Sequence, residues 1–181
     1  MSLDETMPIP IATRDPDTFL RFATIEDLPL VLDFIRRLAE YEKLADAVVA
    51  DEKQLAKTLF GDRRIAEVVI ADHAGTPAGF ALFFHNFSTF IGKPGIYLED
   101  LFVLPELRGK GIGEILLSYL AHLCVERDCG RFEWAVLDWN EPAIGFYKRL
   151  GAEPIDEWTT FRVSGDQLPA LAKRFGHPPR R

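Results

Sequence analysis

Cysteine is scarce in this sequence, and long apolar runs are missing. The only cysteines are Cys124 and Cys129, and their short separation across a predicted helix end fits neither a disulfide framework nor a metal site. The four histidines, at 73, 85, 122 and 177, lack the spacing of metal ligands, so we expect no metal. No apolar stretch approaches the roughly 20 residues that span a bilayer. We therefore expect a cytoplasmic protein without a membrane partner.

Basic residues are outnumbered by acidic ones. The chain has 21 Lys and Arg against 28 Asp and Glu, a net charge of −7. Nucleic-acid binding usually needs a concentrated basic face, so nucleic acid is not an expected partner. The acidic balance suits a cationic substrate, although an acidic surface that only keeps the protein soluble would give the same charge.

Length and composition predict one domain. With 181 residues, 48% of them hydrophobic, the chain can bury one sizeable core. Residues 1–18, where Pro8, Pro10 and Pro16 stand among polar residues, are predicted to be a disordered leader. Residues 19–175 are predicted to form the single domain.

The hydrophobic pattern predicts an α/β (α+β) fold with a mixed central sheet and helices on both faces. Thr24 and Asp27 are typical of a helix start, and the helix that follows has a helically spaced apolar face. Strands are predicted at 19–23, 66–71, 78–85, 96–103, 131–137 and 158–163, and helices at 28–42, 51–60, 112–128, 141–150 and 167–175, with loops at 43–50 and 88–95.

A glycine-rich turn follows the central strand and opens a helix. It reads Arg108-Gly109-Lys110-Gly111-Ile112-Gly113, and such a turn lets successive N–H groups converge on a phosphate at the helix N-terminus. A nucleotide P-loop needs Lys-Ser/Thr after its last glycine, and a dinucleotide fingerprint needs a third glycine where Glu114 stands. From these six residues alone, an ordinary strand-to-helix turn remains an equal alternative.

This turn resembles the Arg/Gln-x-x-Gly-x-Gly/Ala pyrophosphate loop of the GNAT superfamily of N-acetyltransferases. Residues 138–152, with an Asn cap, Phe146-Tyr147 and Gly151-Ala152, resemble the second signature of that family. Tyr-Leu-Glu-Asp at 97–100, Trp-Asn-Glu-Pro at 139–142 and Phe-Tyr-Lys-Arg at 146–149 are similar to the diamine branch, which includes spermidine/spermine and thialysine acetyltransferases. The resemblance covers residues 19–165. It implies the GNAT fold, acetyl-CoA as co-substrate, a small amine as acceptor and a homodimer.

The resemblance also implies site residues. Tyr147 would be the general acid, and Glu99 would hold the protonated amine, whose pKa is near 10.4. The acetyl-CoA contacts would be Leu101, Phe102, Val103, Arg108, Gly109, Lys110, Gly111, Ile112, Gly113, Glu114, Asn140 and Tyr147. The amine contacts would be Tyr41, Glu42, Glu99, Glu133 and Trp134. Ordinary structural roles remain open for several of them: a helix cap for Asn140, and core packing for Trp134, Tyr147 and the strand residues.

The expected reaction is direct acetyl transfer to an amine. Cys124 lies on a predicted helix and not beside a histidine, so a covalent acyl-enzyme is not expected. Spermidine/spermine enzymes carry an acidic residue and a tryptophan before the central strand, where this chain has Phe87-Ser88-Thr89-Phe90, and residues 135–140 are closer to the thialysine type. The alternatives are a protein lysine or N-terminal acetyltransferase, and a non-catalytic acyl-CoA-binding module.

Overall fold

A six-stranded mixed sheet forms the framework of the protein. The computed structural model describes residues 8–176, so the predictions for residues 1–7 and for His177 lie outside the described residues. The strands follow one another in chain order across the sheet and are antiparallel except for the parallel last pair. They are β1 (Ile11–Ala12), β2 (Thr18–Phe22), β3 (Glu67–His73), β4 (Thr76–Ser88), β5 (Lys93–Val103) and β6 (Phe132–Trp134).

Five α-helices accompany the sheet in the described chain. They are α1 (Leu28–Tyr41), α2 (Glu52–Leu55), α3 (Ile112–Glu126), α4 (Glu141–Arg149) and α5 (Gln167–Lys173). A π-helical turn, Ala56–Phe60, continues α2 up to Gly61, where the predicted helix ends. Within residues 8–176, no helix has both the length and the apolar character needed to cross a bilayer. The chain divides into two compact units, Met1–Leu137 and Asp138–Arg181.

Both faces of the sheet in the first unit are buried. Val68 and Ile70 of β3 belong to one apolar cluster with Val31, Phe34 and Leu38 of α1. The alternate residues Val69 and Ala71 are also fully buried, and α3 packs against β3, β4 and β5. Because successive side chains of a strand point to opposite faces, helices cover the two faces of the sheet. The predicted mixed sheet with flanking helices is confirmed.

Charged residues fix the entry to α1. The Asp27 carboxylate accepts hydrogen bonds from the Thr24 N–H at 2.8 Å and from both terminal nitrogens of Arg21 at 2.7 and 2.9 Å. The Nε of Arg21 also donates to Asp72 of β3 at 2.8 Å. These half-buried pairs join β2, β3 and the helix start, which agrees with the predicted role of Thr24 and Asp27.

Several predicted boundaries change. Residues 8–18 are not wholly irregular, because Ile11–Ala12 pairs with Phe19 and Leu20 of β2. The 131–137 strand shrinks to β6, and β4 and β5 extend into the predicted loop 88–95. The prediction of a strand at 158–163 is wrong. These residues form no strand, and Trp158 and Phe161 among them are 72% and 91% exposed. Aromatic and β-branched residues form a strand only where a neighbour completes its hydrogen bonds and packing, and no described strand pairs with this segment.

Candidate functional site

The central strand β5 loses its partner halfway along its length. Its parallel pairing with β6 covers only Ile96 to Leu98, opposite Phe132 to Trp134, although β5 continues to Val103. Beyond Leu98, no strand of the described chain pairs with β5 on this side. The peptide groups of residues 99–103 that point to this side therefore form an open strand edge, which can add an extended ligand by backbone hydrogen bonds.

Glu99 occupies a β-bulge at the start of this open edge. On β4, Leu82 lies opposite Asp100 and Phe83 lies opposite Leu98, so Glu99 has no residue directly across from it. A bulge bends the strand and redirects side chains, and bulges are common beside active sites. The Glu99 side chain is exposed. Glu99, the carboxylate predicted to bind the cationic amine, is thus exposed by a local irregularity of the sheet.

Three acidic residues form a carboxylate group near the bulge: Glu42, Glu99 and Asp100. Burial, and then the charges of Glu99 and Glu42, raises the pKa of Asp100 from 3.8 to about 6. Burial also raises the pKa of Glu42, which follows the last residue of α1. Glu42 and Glu99 were predicted to contact the amine, whereas Asp100 was not. In the sequence, Asp100 stands only as the second acid of a Glu99-Asp100 pair between the apolar residues Leu98 and Leu101 of the central strand. The bulge that separates the two side chains leaves no mark in the sequence.

Arg108 links the end of β5 to the end of α1. Its Nε donates to the Val103 carbonyl at 3.1 Å. Its guanidinium carbon lies 4.5 Å from the centre of the Tyr41 ring and 5.8 Å from that of Phe102, which is cation–π distance. Arg108 thus connects Tyr41 to the end of β5. The contacts of Tyr41, Glu42 and Glu99 with the amine remain predictions. The charge of Arg108 lies beside aromatic rings at the strand end.

The glycine loop, residues 108–113, has the backbone geometry of an anion cradle. Gly109 and Gly111 have φ angles of +80° and +82°, which side-chain-bearing residues rarely adopt. Gly111 is the N-cap of α3, so the free N–H groups of the first helical turn follow directly. Apart from the neighbours of Gly109 in the chain, no atom of residues 8–176 lies within 4 Å of the position that a Cβ on Gly109 would take. These features fit a diphosphate group.

Two predicted cofactor residues have side chains that are buried in the core. The Phe102 side chain is 3% exposed and belongs to the apolar cluster under α1, and the Ile112 side chain is 1% exposed. Core packing is therefore the role of both side chains. The Phe102 carbonyl points to β4, where it lies against the position that a Cβ on Gly79 would take, and Ile112 lies in the first turn of α3. The cofactor contacts of both residues remain predictions.

Glu133 is held by neighbouring polar groups. Its carboxylate accepts from Asn86 Nδ2 at 2.8 Å and lies 2.9 Å from Arg131 Nε. The adjacent Trp134 ring packs on Phe132, with 4.8 Å between ring centres. These contacts give both residues a structural role on β6, and their predicted contact with the amine remains a prediction.

The second unit contains the other signature. Asn140 caps α4, and its side-chain oxygen accepts from the Ala143 N–H at 3.4 Å. The cap role is therefore confirmed, and Gly151, at φ +87°, follows the helix as predicted. Tyr147 is half-buried on α4, with its ring centre 5.4 Å from that of Phe146. Its role as general acid remains a prediction.

Cys124 is unsuited to nucleophilic chemistry. It is buried on α3, and burial raises the pKa of its thiol from 9.0 to about 11. Because the thiolate is the reactive form, this side chain stays protonated and unreactive at neutral pH. The environment of Cys124 thus agrees with the expectation of direct transfer. Among residues 8–176, no group of three or more His, Cys, Asp or Glu side chains is placed to hold a metal ion.

Comparison with known proteins identifies relatives over most of the chain. A model of the acetyltransferase (GNAT) family matches residues 33–152. The chain is similar to the thialysine N-epsilon-acetyltransferase of Sus scrofa, with 37% identity over 164 residues, which cover 84% of this chain and 96% of that protein. It is also similar to an L-ornithine N5-acetyltransferase of Arabidopsis thaliana, with 33% identity over 199 residues and 85% and 87% of the two chains covered.

Solved structures with the same fold are also found. An integron cassette protein from the mobile metagenome of V. cholerae superimposes with a TM-score of 0.74 at 28% identity, covering 87% of this chain and 98% of that one. An aminoglycoside acetyltransferase from a soil metagenomic sample superimposes with a TM-score of 0.71 at 18% identity, covering 85% and 100%. The second comparison bears on the fold alone.

Proposed function

Because this chain belongs to the acetyltransferase (GNAT) family and is an N-acetyltransferase that acts on amines, we propose that it moves the acetyl group of acetyl-CoA to the primary amine of a small, lysine-like or diamine cation. The observation that carries this proposal is the arrangement around the end of β5. The open edge of β5 ends shortly before the glycine loop, which is the anion cradle, and three carboxylates lie near the start of that edge.

The donor half of the proposal uses backbone groups. Acetyl-CoA would supply the acetyl group already activated as a thioester. The open edge at Leu101 to Val103 would bind the amides of the pantetheine arm as an added strand, and the glycine loop with the first turn of α3 would bind the diphosphate. Backbone N–H groups of the same edge would hold the thioester oxygen while negative charge develops on it.

The acceptor half uses side chains. A lysine-like ammonium has a pKa near 10.4, so the amine arrives protonated and needs an anion to hold it and a route for its proton. Glu99, displayed by the bulge, is proposed to bind the ammonium, with Glu42 and Asp100 adding negative charge. The proton would pass to this group through water. Tyr41 would close one side of the amine pocket.

The leaving thiolate needs a proton. We propose that Tyr147 on α4 donates it, because a tyrosine hydroxyl is a hydrogen-bond donor and can act as a general acid. This role rests on the motif around Tyr147. Asn140 would add a contact to the cofactor besides capping α4.

Release of free CoA thiol from acetyl-CoA, measured with a panel of amines, tests the proposal. We expect turnover with thialysine and ornithine, for which relatives are named, and with short diamines, which present the same kind of ammonium. Turnover only with peptides bearing a lysine or a free N-terminus would favour protein acetylation. Acetyl-CoA binding without turnover on any amine of the panel would contradict the proposed class of acceptor. The cytoplasmic location and the homodimer are also proposals, and light scattering tests the latter.

A further inference from the structure

The first turn of α3 carries a charge of the wrong sign for its proposed ligand. Glu114 follows the glycine loop by one residue and lies in the first helical turn, where a bound diphosphate would meet its carboxylate at short range. Like charges at such distances oppose binding. Something in the chain must offset Glu114 if the glycine loop is to bind a polyanion well.

Arg14 supplies the offsetting charge. Its Nη2 lies 2.8 Å from Glu114 Oε1, and it lies 3.9 Å from the position that a Cβ atom on Gly111 would take. The guanidinium is therefore beside the loop itself. Arg14 stands in the connection between β1 and β2, outside residues 33–152 that match the family.

The connection that carries Arg14 is held by local hydrogen bonds. Thr13 Oγ1 donates to the Thr18 carbonyl at 2.8 Å, Thr18 Oγ1 donates to Asp15 Oδ2 at 2.7 Å, and the Asp17 N–H donates to Asp15 Oδ1 at 3.1 Å. These bonds limit the positions open to the intervening backbone. Arg14 thus projects from an ordered turn.

A second contact joins the same region to the loop. Thr18 Oγ1 gives its hydrogen to Asp15, so it must accept from Nδ1 of His73, which lies 2.8 Å away. This leaves His73 Nε2 as an acceptor for the Lys110 ammonium at 3.3 Å. Lys110 of the loop is therefore linked through His73 of β3 to Thr18, while Arg14 pairs with Glu114 of α3.

We propose that Arg14 is a positioning residue of the acyl-CoA site, which permits diphosphate binding by neutralising Glu114. This inference rests on the proposed function of the glycine loop. It assigns a cofactor-related role to the N-terminal residues just before β2, which the family match does not include.

Calorimetric titration with acetyl-CoA tests this directly. Arg14→Ala should raise the Kd about three- to tenfold, a modest range because the pair is partly exposed, and kcat at saturating acetyl-CoA should be unchanged. Arg14→Lys, which keeps the charge, should stay within twofold of wild type. The loss in Arg14→Ala should shrink in 0.5 M NaCl.

The double variant separates neutralisation from other roles. Glu114→Gln alone should bind acetyl-CoA as well as wild type or better, and adding Arg14→Ala to it should change the Kd by less than twofold. Arg37→Ala is the matched control, because Arg37 also forms an ion pair at 2.8 Å, with Asp33 on α1, and should leave the Kd unchanged.

An unchanged Kd in Arg14→Ala overturns the inference, as does an equal loss in the presence and absence of the Glu114 carboxylate. Either result leaves the proposed function standing, provided that the wild-type protein binds acetyl-CoA. Failure of the wild type to bind acetyl-CoA would instead contradict the proposed function of the loop.

Discussion

The glycine loop and the carboxylate group meet at the same strand but are built by different means. The loop presents backbone N–H groups, and its geometry depends on Gly109 and Gly111 within one stretch of six residues. The carboxylate group needs Glu42 from the end of α1 and Glu99 and Asp100 from a bulged part of β5. A site built from backbone groups can therefore be predicted from one short stretch of sequence. A site built from side chains depends on how distant segments come together in the fold.

This difference also separates the two halves of the reaction. Changes in the loop should alter the affinity for acetyl-CoA and leave the choice of amine intact. Changes in the carboxylate group should alter the use of amines and leave the affinity for acetyl-CoA intact. The following variants test whether the two regions act independently.

The largest effect is expected from Tyr147, which belongs to neither region. Tyr147→Phe removes only the hydroxyl, so binding of both substrates should be nearly kept while kcat falls by about 10²–10⁴, the usual range for a lost proton donor. Tyr119→Phe is the control, because Tyr119 lies on a different helix, α3, where its ring packs edge-on against Phe22 of β2. Near wild-type turnover of Tyr147→Phe at saturating substrates would show that the thiolate leaves without help from this residue.

The second effect concerns the donor region alone. Gly111→Val places a β-branched side chain at φ +82° beside Arg14, so the Kd for acetyl-CoA should rise by about tenfold or more. Gly75→Val is a close control, because Gly75 has φ +80° in the β3–β4 turn, and no other described residue beyond its chain neighbours comes within 4 Å of its Cβ position. It should show similar backbone strain and normal affinity. Equal affinities of the two variants for acetyl-CoA in calorimetry would contradict the proposal that the diphosphate binds to the loop.

The family resemblance and the fold class, both predicted from the sequence, are confirmed by the comparisons and the sheet. Local signals served best: the glycine loop, the Asn140 cap and the helix start at Thr24 all have their expected geometry. The features that were not predicted from the sequence depend on tertiary structure. The bulge that displays Glu99 and brings in Asp100 arises from the register between β4 and β5, and residues 158–163 have strand composition without a partner strand.

A smaller effect, confined to the acceptor region, should appear in the pH dependence. With a pKa of about 6, Asp100 gains a proton as the pH falls through 6, which removes one negative charge from the amine site while the amine stays cationic. We expect kcat/KM for the amine to fall about three- to tenfold as the pH falls through 6, which gives an acid limb in the pH profile. In Asp100→Asn the limb near pH 6 should be lost, while Asp33→Asn should keep it. A limb that persists in Asp100→Asn would assign the titration to another group.

The same carboxyl should lower the stability of the fold above pH 6. Its pKa is higher in the folded protein than the ordinary 3.8, so the folded state favours the protonated form. The cost is therefore absent below about pH 4, grows between pH 4 and 6, and is complete above that. Asp100→Asn should raise the free energy of unfolding by about 1–3 kcal/mol at pH 8 and change it little at pH 4. Equal shifts at both pH values in urea titrations would contradict this account.

The smallest effect concerns the choice among amines. We expect Ser88 to correspond to the acidic residue of spermidine/spermine enzymes. Ser88 is 7% exposed, and its hydroxyl accepts from the Ile91 N–H at 3.3 Å within the β4–β5 turn. Ser88 pairs with Lys93, roughly 20 Å from Glu99 at the rise of a strand, so an anchor there could serve only a long polyamine. With the carboxylate group as the single anchor, the gain from a distant second ammonium should be small.

We therefore expect kcat/KM for lysine-like amines and short diamines to equal or exceed that for spermidine and spermine. Glu99→Gln should lower kcat/KM for all of these amines in similar proportion, because each presents one ammonium to this side chain, and it should leave the Kd for acetyl-CoA unchanged. Steady-state kinetics with the four substrate types measures both effects. A tenfold preference for spermine corresponds to about 1.4 kcal/mol of differential binding in the transition state. Such a preference would require a second anionic anchor besides Glu42, Glu99 and Asp100. The amine site would then extend beyond these three residues.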